Sequence, residues 1–337
     1  MRSLKISAPW GLDRLEIVDA PTPEPGPGQV RVRMKAAALN YRDLVIMQGR
    51  HVRGALSEVD IIPLGDGCGI VEAVGDQVTR FSIGQRVVPM MLPRWESGPP
   101  APWKMEKGLG MNLPGVGRDQ AVFSEEALVA APEFLTDVEA ACLACAGVTA
   151  WSALFGGAPL TPGATVLLQG TGGVAMFALQ FAKAAGLRVI MTSSSDEKLE
   201  RARALGADHG INYAAEPAWS ETARALTNGR GVDLVLEMGG AGSFEESLRA
   251  IRLNGQISVV GVLGPPSPLS TGALLASAAR VRAVTVGSRE MFEAMCHAVE
   301  FHRIRPVIGD VFALEDYQAA IAALQSTAHV GKVVLEF

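Results

Sequence analysis

The stretch that decides the fold is Thr165–Gly186, TVLLQGTGGVAMFALQFAKAAG. Its first five residues, TVLLQ, form a short apolar run of the kind that makes a buried strand. From Gly173 onward the apolar residues recur at helical spacing and stop at Gly186, as expected for a helix with one buried face and a glycine at its end. The stretch therefore predicts a strand that turns directly into a helix.

The turn between these two elements carries the pattern Gly-Thr-Gly-Gly-Val-Ala. Glycines permit the tight turn and let backbone N–H groups at the start of the helix approach an anionic pyrophosphate. Ala175 stands where a third glycine is usual, at a position that needs only close packing of helix on strand. The place of the motif between strand and helix argues against a plain glycine turn. We predict a dinucleotide site formed by Gly170, Thr171, Gly172, Gly173 and Val174.

The alternation of strand and helix continues after Gly186. LRVIMT, VDLVLEM and QISVVGVL are strand candidates, and SSSDEKLERARALG and FEESLRAIRLNG are helix candidates. Such alternation is typical of βαβ units on a parallel sheet. The predicted fold class is therefore α/β, with a doubly wound, parallel-sheet domain of the Rossmann type over residues 126–289.

The residues before this domain favour β structure instead. Short alternating segments, Gln29–Lys35, Gly69–Val74 and Gln85–Pro89, are separated by Gly- and Pro-rich stretches such as PTPEPGPGQ. After residue 289, two helical stretches and a final strand, GKVVLEF, remain. We expect this tail to return to the first domain, which gives a β-rich domain of residues 1–125 and 290–337.

The end of the second predicted strand bears on cofactor choice. NAD-binding sites usually place Asp or Glu there to accept from the adenosine ribose, whereas this chain has Thr192-Ser193-Ser194-Ser195. Hydroxyl groups and the nearby Lys198 can accommodate a 2′-phosphate that a carboxylate would repel. We therefore predict NADP(H), bound in part by Ser193, Ser194 and Lys198. The alternative is that the serines only cap the following helix, in which case NAD(H) is expected.

Composition and charge exclude several classes of partner. The 337 residues carry a formal net charge of −5, which offers no basic surface for nucleic acid or anionic membranes. The first residues lack a basic segment followed by an apolar core, so we expect a cytoplasmic protein. Four cysteines are too few for a disulfide framework. Cys142 and Cys145 form a C-x-x-C, for which the apolar surroundings favour packing over a redox function.

Several motifs in order resemble the medium-chain dehydrogenase/reductase superfamily, in particular its zinc-independent, quinone oxidoreductase-like branch. They are PTPEPGPGQVRVRMKAAALNYRDL, PLGDGCGIVEAVGDQVTRFSIGQRVV, CAGVTAW, the glycine-rich stretch above and GKVVLEF. The resemblance implies a GroES-like catalytic domain followed by the Rossmann domain, with the nicotinamide and a small carbonyl substrate held between them. It also implies a homodimer or homotetramer.

Zinc is not expected on this resemblance. The positions that match the catalytic metal ligands of zinc-using relatives are Asn40, Asp66 and Cys145. A neutral carboxamide is a poor zinc ligand, and catalytic zinc usually has three good protein donors. The segment that matches the structural zinc lobe, residues 91–118, contains no cysteine.

The resemblance also implies positions for cofactor contacts. Thr149 would contact the nicotinamide carboxamide, Gly261, Val262 and Leu263 would flank the ring, and Lys332 would reach the pyrophosphate. Thr149 as a helix cap and Lys332 as a solvent-facing strand residue are the alternatives.

Without a metal to polarise an isolated carbonyl, conjugate hydride addition to a quinone, enone or enal is the easier reaction. Tyr41 is the candidate donor to the developing oxyanion, and Asn40 would orient substrate or cofactor. A packed Tyr41 with its hydroxyl on a backbone carbonyl is the alternative. Trp95 and Phe292 are candidates for the substrate pocket, with core packing as the alternative for Trp95.

Two other functions stay open at this point. One is an alcohol dehydrogenase of small alcohols or aldehydes with an unusual metal site that includes Asp66 and Cys145. The other is an NADPH-binding protein without turnover, because fold alone does not specify function.

The cofactor assignment is tested by Ser193→Asp. We expect this change to shift preference towards NAD(H), because the new carboxylate repels a 2′-phosphate and accepts from the ribose. The measurement is the ratio of kcat/KM for NADPH to that for NADH. An unchanged ratio would show that the assignment rests on the wrong residue.

Overall fold

The computed structural model describes residues 1–50, 58–261 and 269–337. It divides into two compact units, Met1–Val148 with Ser288–Phe337, and Thr149–Gly287. The sequence placed the boundaries at 125/126 and 289/290. The first boundary differs because residues 126–148 include a strand that pairs within the first unit.

The first unit is built mainly from strands. They are β1 (Arg2–Ile6), β2 (Leu15–Asp19), β3 (Gln29–Leu39), β4 (Asp66–Val74), β5 (Arg86–Pro89), β6 (Gln120–Ser124), β7 (Leu128–Ala130), β14 (Ile308–Ala313) and β15 (Lys332–Glu336). Its helices are α1 (Tyr41–Met47), α2 (Pro102–Met105), α3 (Asp137–Ala140), α10 (Arg289–His302) and α11 (Tyr317–Ser326). The β-rich, GroES-like fold predicted from the sequence is confirmed, and Ser288–Phe337 belongs to the same unit.

Strand β3 is the centre of this unit. The main sheet has the order β14-β15-β3-β4-β5-β7, and β6 also pairs with β3. Val30, Val32 and Met34 alternate into the core, whereas all four residues from Ala36 to Leu39 are buried. The second half of β3 lies between β15 and β4, with Ala37 paired to Leu335 on one side and to Gly67 on the other. Because residues 36–39 are all buried, this part of the strand consists only of alanine and leucine.

The second unit contains the predicted parallel sheet. Its strands are β8 (Thr165–Gln169), β9 (Arg188–Ser193), β10 (His209–Asn212), β11 (Val232–Glu237), β12 (Ile251–Val259) and β13 (Arg280–Ala283). Helices α4 (Val148–Phe155), α5 (Gly173–Ala184), α6 (Asp196–Ala204), α7 (Trp219–Ala225), α8 (Ala241–Ala250) and α9 (Thr271–Ser277) accompany them. All pairings are parallel, in the order β10-β9-β8-β11-β12-β13. The doubly wound fold is confirmed.

One predicted helix is shorter than the sequence indicated. FEESLRAIRLNG was expected to be helical throughout, but α8 ends at Ala250 and β12 begins at Ile251. Ile251 pairs with Val232 of β11, and the Arg252 side chain donates to the Asp233 carboxylate at 2.6 Å. Tertiary pairing therefore outweighs the local helix preference.

The strand order places a switch point between β8 and β11. From β8 the chain winds outward through β9 and β10, and it then returns to the other side of β8 at β11. Open parallel sheets bind ligands beyond the carboxyl ends of their strands at such a point. Gln169 ends β8 and Glu237 ends β11, so these two side chains mark the position.

The length and hydropathy of the helices indicate whether any of them could cross a membrane. Within the described parts of the chain, no helix combines the length and apolar character needed to cross a bilayer.

Candidate functional site

The glycine-rich turn has the geometry expected of a phosphate-binding loop. Gly170 follows β8 with φ of 77°, and Gly172 is the N-cap of α5. A Cβ atom at Gly170 or Gly172 would meet nothing within 4 Å, so the backbone faces open space there. The first N–H groups of α5 have no intrahelical acceptor and carry the positive end of the helix dipole. Ala175 is 1% exposed, which matches the packing function predicted for it. The residues fit a dinucleotide pyrophosphate.

The serines at the end of β9 differ in how deeply they are buried. Ser193 is 4% exposed and its Oγ accepts from the Ser195 N–H at 3.3 Å. Ser194 is exposed, and Ser195 caps α6 by accepting from the Lys198 N–H at 3.4 Å. Capping is thus performed by Ser195, and Ser194 is the residue of the predicted pair with an accessible hydroxyl. Their contact with a 2′-phosphate stays a prediction.

The remaining predicted cofactor contacts of the second unit are partly described. Gly261 follows β12, and a Cβ there would lie 2.8 Å from the Met238 carbonyl oxygen, so only glycine fits. Thr149 is buried in the first turn of α4. Val262 and Leu263 lie outside the described residues.

In the first unit, Lys332, Asn40 and Asp66 form a buried polar cluster. The Lys332 ammonium donates to the Leu39 carbonyl at 2.8 Å and to Asn40 Oδ1 at 2.6 Å, and it lies 3.5 Å from Asp66 Oδ2. Asn40 Nδ2 donates to the same Asp66 oxygen at 3.0 Å. The alternative of a solvent-facing Lys332 does not agree with the structure, and the pyrophosphate contact stays a prediction. Lys332 is 3% exposed and its three N–H donors are already directed at protein acceptors.

Burial dominates the electrostatics of this cluster. It raises the pKa of the Asp66 carboxyl to about 6, although Lys332 and Asn40 act in the opposite direction. The second oxygen, Asp66 Oδ1, is buried and has no hydrogen-bond partner among the described residues. Burial also raises the pKa of the Cys145 thiol. Burial thus favours the protonated forms of both groups, whereas the Lys332 ammonium and the Asn40 amide favour the ionised form of Asp66.

The donor set at these positions does not fit zinc. Asn40 Oδ1 and Asp66 Oδ2 face an ammonium group, which would repel a cation placed between them. Asn40 offers only a neutral amide oxygen, which is a poor zinc ligand. Within the described ranges, no three His, Cys, Asp or Glu side chains are grouped so as to hold a metal.

The C-x-x-C pair has the surroundings of packing residues. Cys142 is fully buried, its Sγ donates to the Val138 carbonyl at 3.3 Å, and burial raises its pKa to about 12. A reactive redox thiol needs a lowered pKa. The packing interpretation therefore agrees with the structure.

Tyr41 is the first residue of α1 and is 42% exposed. Its hydroxyl makes no hydrogen bond to any described residue, so the alternative of a packed phenol bonded to a backbone carbonyl does not agree with the structure. Asp43 fixes the start of the helix by accepting from the Asn40 N–H at 3.0 Å. Lys332 and Asp66 in turn hold the Asn40 side chain. Asn40, which directly precedes Tyr41, is therefore held by hydrogen bonds of both its backbone and its side chain.

Trp95 and Phe292 are both buried in the first unit, at 5% and 2% exposure. The Trp95 indole donates to the Gly98 carbonyl at 2.9 Å, and its own carbonyl accepts from the Arg289 N–H at 2.9 Å. These contacts agree with core packing for Trp95. A pocket function for the two residues stays a prediction.

Two features were missed in the sequence. The partners of Lys332 were missed because they are 266 and 292 residues away in the chain. A second network, around Gln169 and Glu237, joins residues 68 positions apart. The available signal in each case was a charged residue at the end of a mostly apolar strand.

Comparison with known proteins agrees with both units. Residues 26–136 match the alcohol dehydrogenase GroES-like domain, and residues 173–300 match the zinc-binding dehydrogenase family. The second match takes its name from zinc, but its range includes none of Asn40, Asp66 and Cys145.

Individual relatives span nearly the whole chain. The zinc-type alcohol dehydrogenase-like protein C1773.06c of Schizosaccharomyces pombe is 41% identical over 310 residues, 90% of this chain and 89% of the relative. A quinone oxidoreductase of Pseudomonas aeruginosa is 31% identical over 315 residues, 89% of each. The crystal structure of a putative alcohol dehydrogenase from Sinorhizobium meliloti has 41% identity and a TM-score of 0.91, with both chains covered completely. On this likeness in sequence and in fold, the chain belongs to the medium-chain dehydrogenase/reductase superfamily of oxidoreductases.

Proposed function

We propose that the protein is an NADPH-dependent reductase of conjugated carbonyl compounds, such as quinones, enones and enals, that works without catalytic zinc. The observation that carries the proposal is the buried Lys332 ammonium, bonded to Asn40 and next to Asp66. The Lys332 ammonium places a positive charge where zinc-using relatives hold their catalytic metal. Acceptors within the protein already neutralise this charge.

This charge cannot replace a Lewis acid. A catalytic metal keeps an open coordination position for the substrate oxygen, whereas the donors of Lys332 are directed at Leu39, Asn40 and Asp66. An isolated ketone would therefore gain little stabilisation here. A conjugated acceptor spreads the developing charge over an enolate or hydroquinone oxygen, which ordinary hydrogen-bond donors can stabilise.

Bound NADPH would supply the hydride, which leaves the acceptor one proton short of the product. Tyr41 is the residue we assign to the acceptor oxygen, because a phenol can donate a hydrogen bond to a developing oxyanion and then its proton. Its exposure and its hydroxyl without a described partner support the assignment. Solvent would then return the proton to the phenolate.

The preference for NADPH is supported by the chain at the end of β9. No carboxylate occurs from Thr192 to Ser195, and the first one, Asp196, accepts from the Asn212 side chain at 3.0 Å. The exposed Ser194 can donate to a 2′-phosphate.

An alcohol dehydrogenase is the second candidate, because the Schizosaccharomyces relative is named a zinc-type alcohol dehydrogenase-like protein and the Sinorhizobium structure a putative alcohol dehydrogenase. Such an activity would need a metal to displace the Lys332 ammonium from Asn40 and Asp66. The donor set argues against it.

The proposed reaction is tested with matched acceptors that differ only in conjugation, such as hex-2-enal and hexanal, together with a set of quinones and enones. We expect NADPH oxidation with the conjugated compounds, with kcat/KM at least about tenfold above that of the saturated aldehyde. NADH is expected to be the poorer donor. Equal or better turnover of the saturated aldehyde would contradict the proposal.

The function of Tyr41 is tested by Tyr41→Phe, which removes only the hydroxyl. We expect kcat for an enone to fall by about 100-fold, the usual contribution of a general acid, with the Kd for NADPH nearly unchanged. Tyr213→Phe is the matched control, because Tyr213 is 44% exposed and belongs to the second unit. If both variants keep wild-type turnover, Tyr41 has no part in the mechanism.

A further inference from the structure

The side chain of Glu237 is completely buried at the carboxyl end of β11. One oxygen, Oε1, accepts from the N–H groups of Gly239 and Gly240 at 3.0 Å each and from the Ser243 hydroxyl. The other, Oε2, accepts from Gln169 Nε2 at 2.7 Å and from the Ser247 hydroxyl. Five donors are therefore directed at the carboxylate.

Gln169 completes this network from the neighbouring strand. Its Oε1 accepts from the N–H groups of Met238 at 2.9 Å and Gly239 at 3.2 Å. Gln169 is the last residue of β8 and is followed directly by Gly170 of the glycine-rich turn. The two side chains thus hold the turn of residues 238–240 against the end of β8.

The same turn supports a third backbone segment. The Glu237 carbonyl oxygen accepts from the N–H groups of Val260 at 2.9 Å and Gly261 at 3.3 Å. Gly261 lies so close to the Met238 carbonyl that a Cβ would come within 2.8 Å of it. A shift of the turn would consequently displace Gly261.

These three segments meet at the switch point of the sheet, where dinucleotides bind in this class of fold. A buried carboxylate there is costly, because the charged group loses its hydration. An apolar side chain of similar volume would often give a protein of equal stability. The donors around Glu237 offset the cost of its burial. What the network contributes beyond stability is a fixed backbone geometry.

We propose that Glu237 and Gln169 are positioning residues for the cofactor. They hold residues 238–240 and 260–261 in the bound conformation before the dinucleotide arrives, so that binding does not have to order them. The inference rests on the proposed function to the extent that a nicotinamide dinucleotide is the ligand.

Strand β11 offers a matched control. Asp233 lies on the same strand at its amino end, is 8% exposed and also accepts hydrogen bonds, from the Thr165 N–H at 2.9 Å and from Arg252 Nε at 2.6 Å. Glu237→Gln and Asp233→Asn each replace a buried carboxylate with its amide. Both changes remove acceptors for backbone and side-chain donors, but only the first lies at the ligand-binding edge.

The measurement is the Kd for NADPH, from the change in nicotinamide fluorescence, together with Tm for each variant. We expect Glu237→Gln to raise the Kd at least about tenfold, because in either orientation the new amide N–H₂ faces an N–H donor, that of the two glycines or that of Gln169. Asp233→Asn should lower Tm but leave the Kd within about twofold of the wild type. Ser247→Ala, a milder change that removes one donor, should raise the Kd by about threefold.

The result that would contradict the positioning function of Glu237 and Gln169 differs from the result that would contradict the proposed reaction. If the wild type binds NADPH and the Kd of Glu237→Gln and Ser247→Ala stays near that of Asp233→Asn, the network is merely structural. If the wild type binds neither NADPH nor NADH, the proposed function fails and the inference fails with it. Should Glu237→Gln not fold, Ser247→Ala decides the matter on the same criterion.

Discussion

The hydrogen bonds of the Lys332 ammonium to Leu39 and Asn40, next to the Asp66 carboxylate, join four elements of the first unit. The lysine begins β15, its acceptors lie at the end of β3 and just before α1, and the aspartate begins β4. Removing an ammonium from water is expensive unless its hydrogen bonds are replaced. Because the acceptors come from separate elements, these elements must be in place together, and Asn40 and Tyr41 are placed with them.

The second unit follows the same principle with the opposite charge. There the buried carboxylate of Glu237 collects donors from β8, α8 and the turn between β11 and α8. In both units a charged group that could not be buried alone fixes backbone segments near predicted functional residues. Such networks are costly when incomplete, which makes them sensitive points for substitution.

The sequence was sufficient where the signal was local. The apolar run TVLLQ, the glycines after it and the helix to Gly186 predicted β8, the turn and α5, and the repeated alternation predicted a parallel sheet. The signal failed where tertiary pairing decided the outcome, as at Ile251, which joins β11 rather than extending α8. The sequence indicated that the serines of residues 193–195 could cap the following helix. That Ser195 caps it while Ser194 is exposed depends on where β9 ends.

Site residues were harder to assign than the fold. The resemblance implies a cofactor contact for Lys332, which stays a prediction. Its acceptors within the protein depend on how β15 pairs with β3, which no local pattern encodes. Glu237 carried no motif at all, since its donors are mostly backbone N–H groups and serines. Burial of Trp95 likewise depended on the path of the long segment after β5.

We propose that Lys332, and not a metal ion, supplies the positive charge among Asn40, Asp66 and Cys145. The most direct measurement is zinc content by mass spectrometry together with NADPH-dependent enone turnover, on one protein sample before and after treatment with a chelator. We expect far less than one zinc per chain and the same turnover after chelation. One zinc per chain, with activity lost on chelation and restored by added zinc, would contradict it.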